Sequence, residues 1–287
     1  MSASGPQLEA QPPHGAAVPR RPLIVGLGKS GMSCARHLTA RGVPFDVVDS
    51  RAEPPYLAAL QRELPEVRPI LGRFDPRRFA AAGEVILSPG LSLHEPAVVE
   101  AIERGVPVIG DIELFARAAR APVAAITGSN GKSTVTTLLG EMAREAGRDV
   151  RVGGNLGTLA LELLEESEPD LYVLELSSFQ LQTTHSLRPA AAVVLNVSAD
   201  HFDHHRGMEE YLAAKLRIYR GDGAMIVNAD EPRLSALREQ HRQTSCHQRG
   251  LAGTSRGFDE QGRIEIGQRA QPRWSIGELD HRQLQIR

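Results

Sequence analysis

Short apolar runs alternate with amphipathic stretches along most of this chain. Residues 23–27 form the first apolar run, a stretch with helical spacing follows up to Arg41, and residues 45–49 form the next run. Strands that alternate with helices predict a parallel sheet with right-handed crossovers. The expected fold class is therefore α/β.

The same alternation continues and then restarts. Further strands are predicted at residues 84–88, 106–109, 123–127, 171–176, 191–197 and 224–228, and helices at 95–104, 132–146 and 208–219. Because the pattern begins again after residues 118–122 (AARAP), we expect a domain boundary there.

Three segments follow from this boundary. Residues 1–20, rich in Pro, Ala, Gln and Ser, are expected to be a flexible tail. Residues 21–118 are predicted to form a Rossmann-like domain, and residues 119–287 a P-loop-type parallel-sheet domain that is incomplete. The pattern weakens after residue 240, where a hairpin near 264–266 is the remaining prediction.

Composition narrows the functional class. The 33 basic and 35 acidic residues give a net charge of −2, which disfavours a general nucleic-acid footprint. No apolar stretch approaches the roughly 18 residues of a membrane helix, and the N-terminus has no secretory pattern. Cys34 and Cys246 are too few for a disulfide framework. We expect a cytoplasmic monomer that binds neither nucleic acid nor membrane.

Lysine is unusually rare. Only three of the 33 basic residues are Lys, namely Lys29, Lys132 and Lys215. Where arginine supplies the generic positive charge, a retained lysine indicates a place that needs a compact amine. Chance is the alternative, but each lysine lies in a segment with other signs of function.

The first such segment is GLGKSG, residues 26–31, between a predicted strand and helix. Its glycines permit a tight turn and the close approach of a phosphate to a helix N-terminus. Asp49 ends the second strand, where an acidic residue commonly contacts a ribose. The pattern predicts a dinucleotide or nucleotide-diphosphate site, with NAD among the candidates and a purely structural turn as the alternative.

The second segment is TGSNGKST, residues 127–134. It is shorter than the usual Walker A loop but has small residues for a backbone cradle, Lys132 for phosphates and the Ser133 hydroxyl for Mg²⁺. It predicts ATP binding. A glycine-rich turn with an incidental lysine is the alternative.

Three further positions are candidates for metal chemistry. Glu175 is a lone carboxylate in an apolar strand, so Mg²⁺ or a buried salt bridge is needed to compensate its burial. Residues 200–205 (DHFDHH) are typical of a metal or phosphate site or of an exposed polar loop, and zinc is less favoured because no cysteine is near. Lys215 lies on the next predicted helix, where a surface lysine is the ordinary interpretation.

Together these segments closely resemble the Mur ligases, the ATP-dependent amino-acid-adding enzymes of peptidoglycan synthesis. The resemblance extends over about residues 22–231. The motifs that carry it are GLGKSG, SPGLS (88–92), GDIELF (110–115), AITGSNGKSTVTTLLGEM, VGGNLG (152–157), LELSSFQLQT and AAKLRIY. SSFQL is the most discriminating, because sister ligases that add other residues differ there.

The resemblance implies a specific reaction. A UDP-sugar would replace NAD in the first domain, ATP would phosphorylate the carboxylate of UDP-N-acetylmuramoyl-L-alanine, and D-glutamate would attack the acyl phosphate. Two Mg²⁺ ions would take part, the second held in part by a carbamate formed from Lys215 and CO₂. A primary amine is required there, which arginine does not supply.

The resemblance also implies site residues. Lys132, His201 and Lys215 would be catalytic. The ATP site would comprise Gly128, Ser129, Asn130, Gly131, Lys132, Ser133 and Thr134. The metal ligands would be Ser133, Glu175, His201 and the carbamylated Lys215. The UDP substrate would contact Gly28, Lys29, Ser30, Gly31, Asp49, Ser50, Arg51, Ser88, Pro89, Gly90, Asn155 and Ser178.

Two departures from the family pattern change the expectation for this chain. The family usually has Arg at the position of His204. It also continues past the position of Arg287 with an adenine-contacting Asn motif and a domain for the incoming amino acid. We therefore expect a fragment that is inactive alone, with a non-catalytic UDP-sugar or nucleotide-binding module as the alternative. An NAD-dependent dehydrogenase would leave residues 127–134 and Lys215 unexplained.

Overall fold

A computed structural model describes residues 20–198 and 205–234. The chain divides into two compact units, Met1–Ile226 and Val227–Arg287. The described part of the second unit contains a 3₁₀ turn at Pro232–Leu234. The predicted hairpin near residues 264–266 lies outside the described residues.

The first sheet is parallel. Its strands are β1 (Leu23–Val25), β2 (Asp46–Asp49), β3 (Ile70–Leu71), β4 (Val85–Leu87) and β5 (Val108–Ile109), in the order β3-β2-β1-β4-β5. Its helices are α1 (Lys29–Ala40), α2 (Leu57–Glu63), α3 (Pro76–Ala81), α4 (Pro96–Glu103) and α5 (Asp111–Ala118). Val25 of β1 pairs with Val48 on one side and Leu87 on the other. The strand order reverses beside β1, and such a point opens a crevice at the carboxyl ends of the strands.

The second sheet also has five strands with its first strand at the centre, but the next strand along the chain, β7, lies at the edge instead of beside the central strand. Its strands are β6 (Val123–Thr127), β7 (Val150–Gly154), β8 (Leu171–Glu175), β9 (Ala191–Val194) and β10 (Ala224–Val227), in the order β10-β9-β6-β8-β7. Its helices are α6 (Lys132–Glu145), α7 (Ser178–Gln182) and α8 (Met208–Leu216), with 3₁₀ turns at Glu162–Leu164 and Arg217–Tyr219. β6 lies between β8 and β9 and is parallel to both, so the segment after β6 opens a second crevice.

The prediction of an α/β fold with two parallel sheets is confirmed. The sequence pattern did not predict β3, β7, α2, α3, α5 and α7. Several of these elements are short or interrupted: β3 has two residues, α7 has five, and β7 contains two glycines and an arginine. The helix predicted at residues 208–219 ends at Leu216 and continues as a 3₁₀ turn. The described residues contain no helix with the length and apolar character that a membrane span requires.

Burial on both faces explains why the strands appear in the sequence as continuous apolar runs. All three residues of β1 and of β4 are buried. Leu23 and Leu87 pack with Phe79 and Val98 in the core of the first sheet, and Ile126 and Val173 form the core of the second sheet against α6. Parallel strands covered by helices on both sides have no solvent face to alternate with.

Glu113 joins α5, the helix after the last strand of the first sheet, to the turn after α7 of the second sheet. The carboxylate of Glu113 on α5 accepts the N–H groups of His185 and Ser186 at 2.7 and 2.8 Å and the Arg117 side chain at 3.1 Å. Burial alone would raise the pKa of Glu113, but the amide N–H groups of Ser186 and His185 outweigh it and hold the pKa below its usual range. The ionised carboxylate therefore fixes the turn after α7 to α5.

We predict that Glu113→Gln destabilises the chain in a pH-dependent way. Because folding lowers the pKa of Glu113, its contribution is present above the unfolded value of about 4.3 and is lost as the pH falls through the folded value. The free energy of unfolding should decrease by about 1–3 kcal/mol at pH 7, since a charged acceptor is removed. Urea denaturation at pH 7 should show this difference, and the difference should shrink as the pH falls below about 4.3.

The matched control is Glu84→Gln. Glu84 contacts the same Arg117 at 2.9 Å, and a partly exposed pair without amide donors contributes little. An equal loss of stability in both variants at pH 7 would contradict the role assigned to the Glu113 carboxylate.

Candidate functional site

A cavity of about 560 Å³ lies where the carboxyl ends of the two sheets meet, a volume within the range of small-molecule sites. The segments that follow strands of the first sheet contribute the glycine turn after β1, residues 49–51 and residues 88–91. The second sheet and the segments that follow its strands contribute Gly154, Asn155, Gly157, Leu159 and Gln180. Of the residues predicted to contact a UDP substrate, all but Gly31 and Ser178 line this cavity. The structure thus brings together segments that are far apart in the chain.

The glycine turn is shaped by two close approaches. Gly26 has φ +94°, a conformation that side chains rarely tolerate. A Cβ at Gly31 would overlap the carbonyl oxygen of Gly26, so only glycine at position 31 lets the helix approach the turn this closely. Ser88, at the end of β4, donates its hydroxyl to Gly26 O at 2.9 Å. The first residues of α1, Lys29 and Ser30, therefore line the cavity.

Asp49 organises the wall beside this turn. Its carboxylate is 2% exposed and accepts the amide of Leu27 at 2.6 Å, the amide of Arg51 at 2.9 Å and the Arg51 guanidinium at 2.7 and 2.9 Å. Burial would raise the pKa of Asp49, but these donors, Arg51 first among them, hold it below its usual range. A ribose hydroxyl would therefore compete with protein N–H groups for the Asp49 carboxylate. The same carboxylate fixes the orientation of the half-exposed Arg51 side chain.

The TGSNGKST segment, residues 127–134, follows β6 and is here called the phosphate loop after the ligand that the sequence predicts for it. Asn196, just beyond β9, holds this loop by side-chain hydrogen bonds. Asn196 Oδ1 accepts the amides of Ser129 and Asn130 at 3.1 and 2.9 Å, and its Nδ2 donates to Asn130 O at 3.0 Å. Gly131, with φ +77°, turns the loop into α6. The Lys132 amine donates to Gly128 O and Ser129 O, both at 3.0 Å. The loop therefore forms a backbone turn whose carbonyl groups are bonded by the amine of Lys132.

Glu175 connects the phosphate loop to the cavity wall. Its carboxylate, 2% exposed at the end of β8, accepts the Ser133 hydroxyl at 2.7 Å and Asn155 Nδ2 at 2.9 Å. Within residues 20–198 and 205–234 it forms no ion pair, so the salt-bridge alternative is not what the described residues show. Carboxylate and hydroxyl oxygens at one point are ligands of the type that Mg²⁺ prefers.

Lys215 is buried, so its interpretation as a surface lysine is wrong. It is 2% exposed, and its Nζ donates to Gly128 O at 2.8 Å and lies 4.5 Å above the Tyr211 ring. The Tyr211 hydroxyl in turn lies 3.0 Å from Ser129 Oγ. Two residues of α8 therefore contact the phosphate loop directly.

The DHFDHH segment is described only at His205. His201 and His204 lie outside the described residues, and the role predicted for His201 stays a prediction. His205 is buried, and its Nε2 lies 3.0 Å from Ser178 Oγ. Its ring stacks on that of Phe179, with 5.3 Å between the ring centroids. In the described part of the chain no three His, Cys, Asp or Glu residues cluster as a metal site would require.

Sequence reasoning missed several residues of this site. Asn196 and Tyr211 hold the phosphate loop, while Phe74, Leu159 and Gln180 line the cavity. A signal existed for Asn196, because polar residues at the carboxyl end of a central parallel strand lie in the crevice. Phe74 follows β3 and Leu159 follows β7, two strands that the apolar pattern did not predict.

Two family comparisons match this chain. The family described as "Mur ligase MurD-like, N-terminal domain" matches residues 20–110, and "Mur ligase middle domain" matches residues 126–271. The second match alone covers half of the chain.

Individual proteins agree with these matches. A UDP-N-acetylmuramoylalanine–D-glutamate ligase of Nitrosococcus oceani is 57% identical over 220 residues, which are 77% of this chain and 49% of that protein. The protein of the same name from Pseudomonas aeruginosa is 56% identical over 206 residues, 72% of this chain and 46% of that protein. The chain thus spans about half the length of the curated relatives it matches.

A solved structure was also matched. The crystal structure of UDP-N-acetylmuramate:L-alanyl-gamma-D-glutamyl-meso-diaminopimelate ligase from Neisseria meningitides has a TM-score of 0.49 and 18% identity, covering 77% of this chain and 75% of that one.

We predict that Asn196→Leu loosens the phosphate loop unevenly. The Asn130 amide loses its side-chain acceptor, whereas the Ser129 amide keeps a second bond to Asn196 O at 3.0 Å. Because one hydrogen bond contributes about 0.5–1.5 kcal/mol, amide exchange at Asn130 should accelerate by up to roughly tenfold, and that at Ser129 by less. Hydrogen exchange followed by NMR measures both amides.

Ser198→Ala is the control for this experiment. It removes a hydroxyl that accepts from Asn130 Nδ2 at the longer distance of 3.4 Å and leaves both amides bonded. Unchanged exchange at Asn130 in Asn196→Leu would contradict this role of Asn196.

Proposed function

The chain belongs to the Mur ligase family, and on that premise we propose that it provides the UDP-substrate and ATP sites of a ligase that adds D-glutamate to UDP-N-acetylmuramoyl-L-alanine. One observation carries the proposal above the others. The Glu175 carboxylate bonds Ser133 of the phosphate loop and Asn155 of the cavity wall, so a phosphoryl donor and a carboxylate acceptor bound on either side would meet there.

The proposed reaction has two transfers. The substrate carboxylate attacks the γ-phosphorus of ATP, ADP leaves with the bridging oxygen, and an acyl phosphate forms. The amine of D-glutamate then attacks the acyl carbon, loses a proton and expels inorganic phosphate, leaving an amide. The names of the relatives support D-glutamate as the added amino acid.

The cavity is the proposed UDP-substrate site. Residues 21–118 would form the domain that holds the uridine end and the diphosphate, with Arg51 fixed by Asp49 and the α1 N-terminus facing the phosphates. Asn155, from residues 119–287, would face the far end of the same substrate. Ser178 is buried against His205, so any contact from it requires a shift of that pair.

The phosphate loop is the proposed ATP site. Its backbone N–H groups and the Lys132 amine would surround the phosphates, and the amine already lies within the loop. Positioned charges that stabilise the transferring phosphoryl group account for most of the catalysis expected in such reactions. Gly128–Thr134 would therefore act as a fixed electrostatic frame.

The described ligand set fits Mg²⁺. Ser133 and Glu175 offer hydroxyl and carboxylate oxygens at 2.7 Å from each other, and the proposed second position would use His201 and a carbamate on Lys215. When bound, Mg²⁺ neutralises phosphate charge and orients the phosphoryl group. The two-ion arrangement, the carbamate, the cytoplasmic location and the monomeric state are parts of this proposal.

The surroundings of Lys215 support a carbamate. Its amine lies between Gly128 O and the Tyr211 ring, beside the loop that would hold ATP. A carbamate converts an amine into a pair of oxygens, the ligand type that Mg²⁺ prefers. A buried ammonium in the same place would add positive charge where the metal should bind.

We predict that Asp49→Ala weakens UDP-substrate binding without changing ATP binding. The substitution releases Arg51 and the Leu27 amide from the cavity wall, and a charge-assisted hydrogen bond contributes about 1.5–3 kcal/mol. Titration calorimetry should show the dissociation constant of UDP-N-acetylmuramoyl-L-alanine rising roughly ten- to a hundredfold.

Asp46→Ala is the matched control, since Asp46 is exposed at the opposite end of β2. It should leave both ligands unaffected. A parallel loss of ATP binding in Asp49→Ala would contradict the separation of the two sites.

We predict that Lys215 alone among the lysines forms a stable carbamate. ¹³C NMR of the chain in ¹³C-bicarbonate with Mg²⁺ and ATP should show a carbamate carbon in slow exchange. The signal should persist in Lys29→Arg and Lys132→Arg and disappear in Lys215→Arg. A signal that survives Lys215→Arg, or none in the unaltered chain at saturating bicarbonate, would refute the assignment.

A further inference from the structure

We propose that Lys29 is a positioning residue that ties a UDP substrate in the cavity to the turn carrying Asn155, and thereby couples the UDP site to Glu175 at the phosphate loop. This inference rests on the proposed function, because it takes the cavity as the UDP-substrate site and the loop after β6 as the ATP site.

Lys29 reaches across the cavity. It is the first residue of α1, and its Nζ donates to Gly157 O at 2.8 Å although 128 positions separate them. A second contact, Arg36 Nη1 to Glu162 Oε1 at 3.9 Å, joins the same helix to the segment after that turn, away from the cavity. The two wall segments are therefore linked at the cavity by Lys29 and outside it by Arg36.

The turn that Lys29 holds is tightly fixed to Glu175. Gly154 N donates to Thr158 O at 2.8 Å, and Asn155 N donates to Glu175 O at 2.8 Å. A Cβ at Gly153 would overlap Thr158 O, so the backbone is closely packed where the turn closes. We therefore expect displacement of Gly157 to shift Asn155, whose Nδ2 donates to the Glu175 carboxylate at 2.9 Å.

The chemistry of an ammonium suits a bridge. Lysine carries three N–H donors on one nitrogen, of which Gly157 O takes one. A diphosphate oxygen can take another, in a charge-assisted bond stronger than that to a neutral carbonyl. Arg51, which also lines the cavity, is bound to Asp49 instead. Lys29 is thus placed to contact substrate and turn together.

This bridge makes the two nucleotide sites interdependent. A bound UDP substrate would hold Lys29, Lys29 would hold the turn, and Asn155 would keep Glu175 oriented towards Ser133. Binding coupled in this way is reciprocal, so each ligand tightens the other by the same factor.

The test is a coupling measurement on the 287-residue chain. A non-hydrolysable ATP analogue with Mg²⁺ is titrated with and without saturating UDP-N-acetylmuramoyl-L-alanine, in the unaltered chain, Lys29→Met and the control Arg36→Met. We expect the UDP substrate to tighten analogue binding about fivefold or more in the unaltered chain and in Arg36→Met. In Lys29→Met, with the UDP substrate again at saturation, the factor should fall to near one.

Hydrogen exchange gives a second readout that a merely structural lysine would not change. The UDP substrate should protect the amides of Gly154 and Asn155 in the unaltered chain and not in Lys29→Met. A coupling factor that survives Lys29→Met, or is lost equally in Arg36→Met, overturns the inference and leaves the proposed function intact. Failure of the unaltered chain to bind the UDP substrate or the analogue would contradict the proposed function, and this inference with it.

Discussion

The burial of the Glu175 carboxylate is the constraint on which the arrangement of the site depends. A carboxylate removed from water is costly unless hydrogen bonds compensate it. Its two donors come from different elements, Ser133 from the first turn of α6 and Asn155 from the turn after β7. The hydrogen bonds that satisfy this one buried carboxylate therefore fix the position of the phosphate loop relative to the cavity wall.

Close backbone packing makes this register rigid. Gly154 pairs with Glu175 across β7 and β8, and a Cβ at Gly154 would overlap Glu175 O. Asn155 N then donates to that same carbonyl oxygen. The sequence VGGNLG thus combines two functions: its glycines permit two strands to approach, and its asparagine is delivered to the carboxylate.

Much of this could be predicted from the sequence, and the remainder could not for physical reasons. Apolar runs such as that containing β1 revealed the strands because both sheet faces are covered. Glycine loops revealed the two phosphate-type turns because few other residues permit such turns. Burial of Lys215 left no trace in the helical pattern of α8, since its partner Gly128 lies 87 positions away. Asn196 was missed although its position near the carboxyl end of a predicted strand was a signal, because its contact with the loop depends on two strands being neighbours.

The scarcity of lysine acquires a practical meaning from the exposure of the three side chains. Lys29 is exposed at the cavity, Lys132 is half-buried within its loop, and Lys215 is enclosed. Apart from the α-amino group, the primary amines that an acylating reagent can modify all lie at the predicted ligand sites. Coupling the protein to an amine-reactive support, or labelling it with a dye ester, will modify the cavity first. Attachment through engineered cysteines or carboxylates avoids that interference, and graded acylation of the three amines becomes a direct reporter of ligand occupancy.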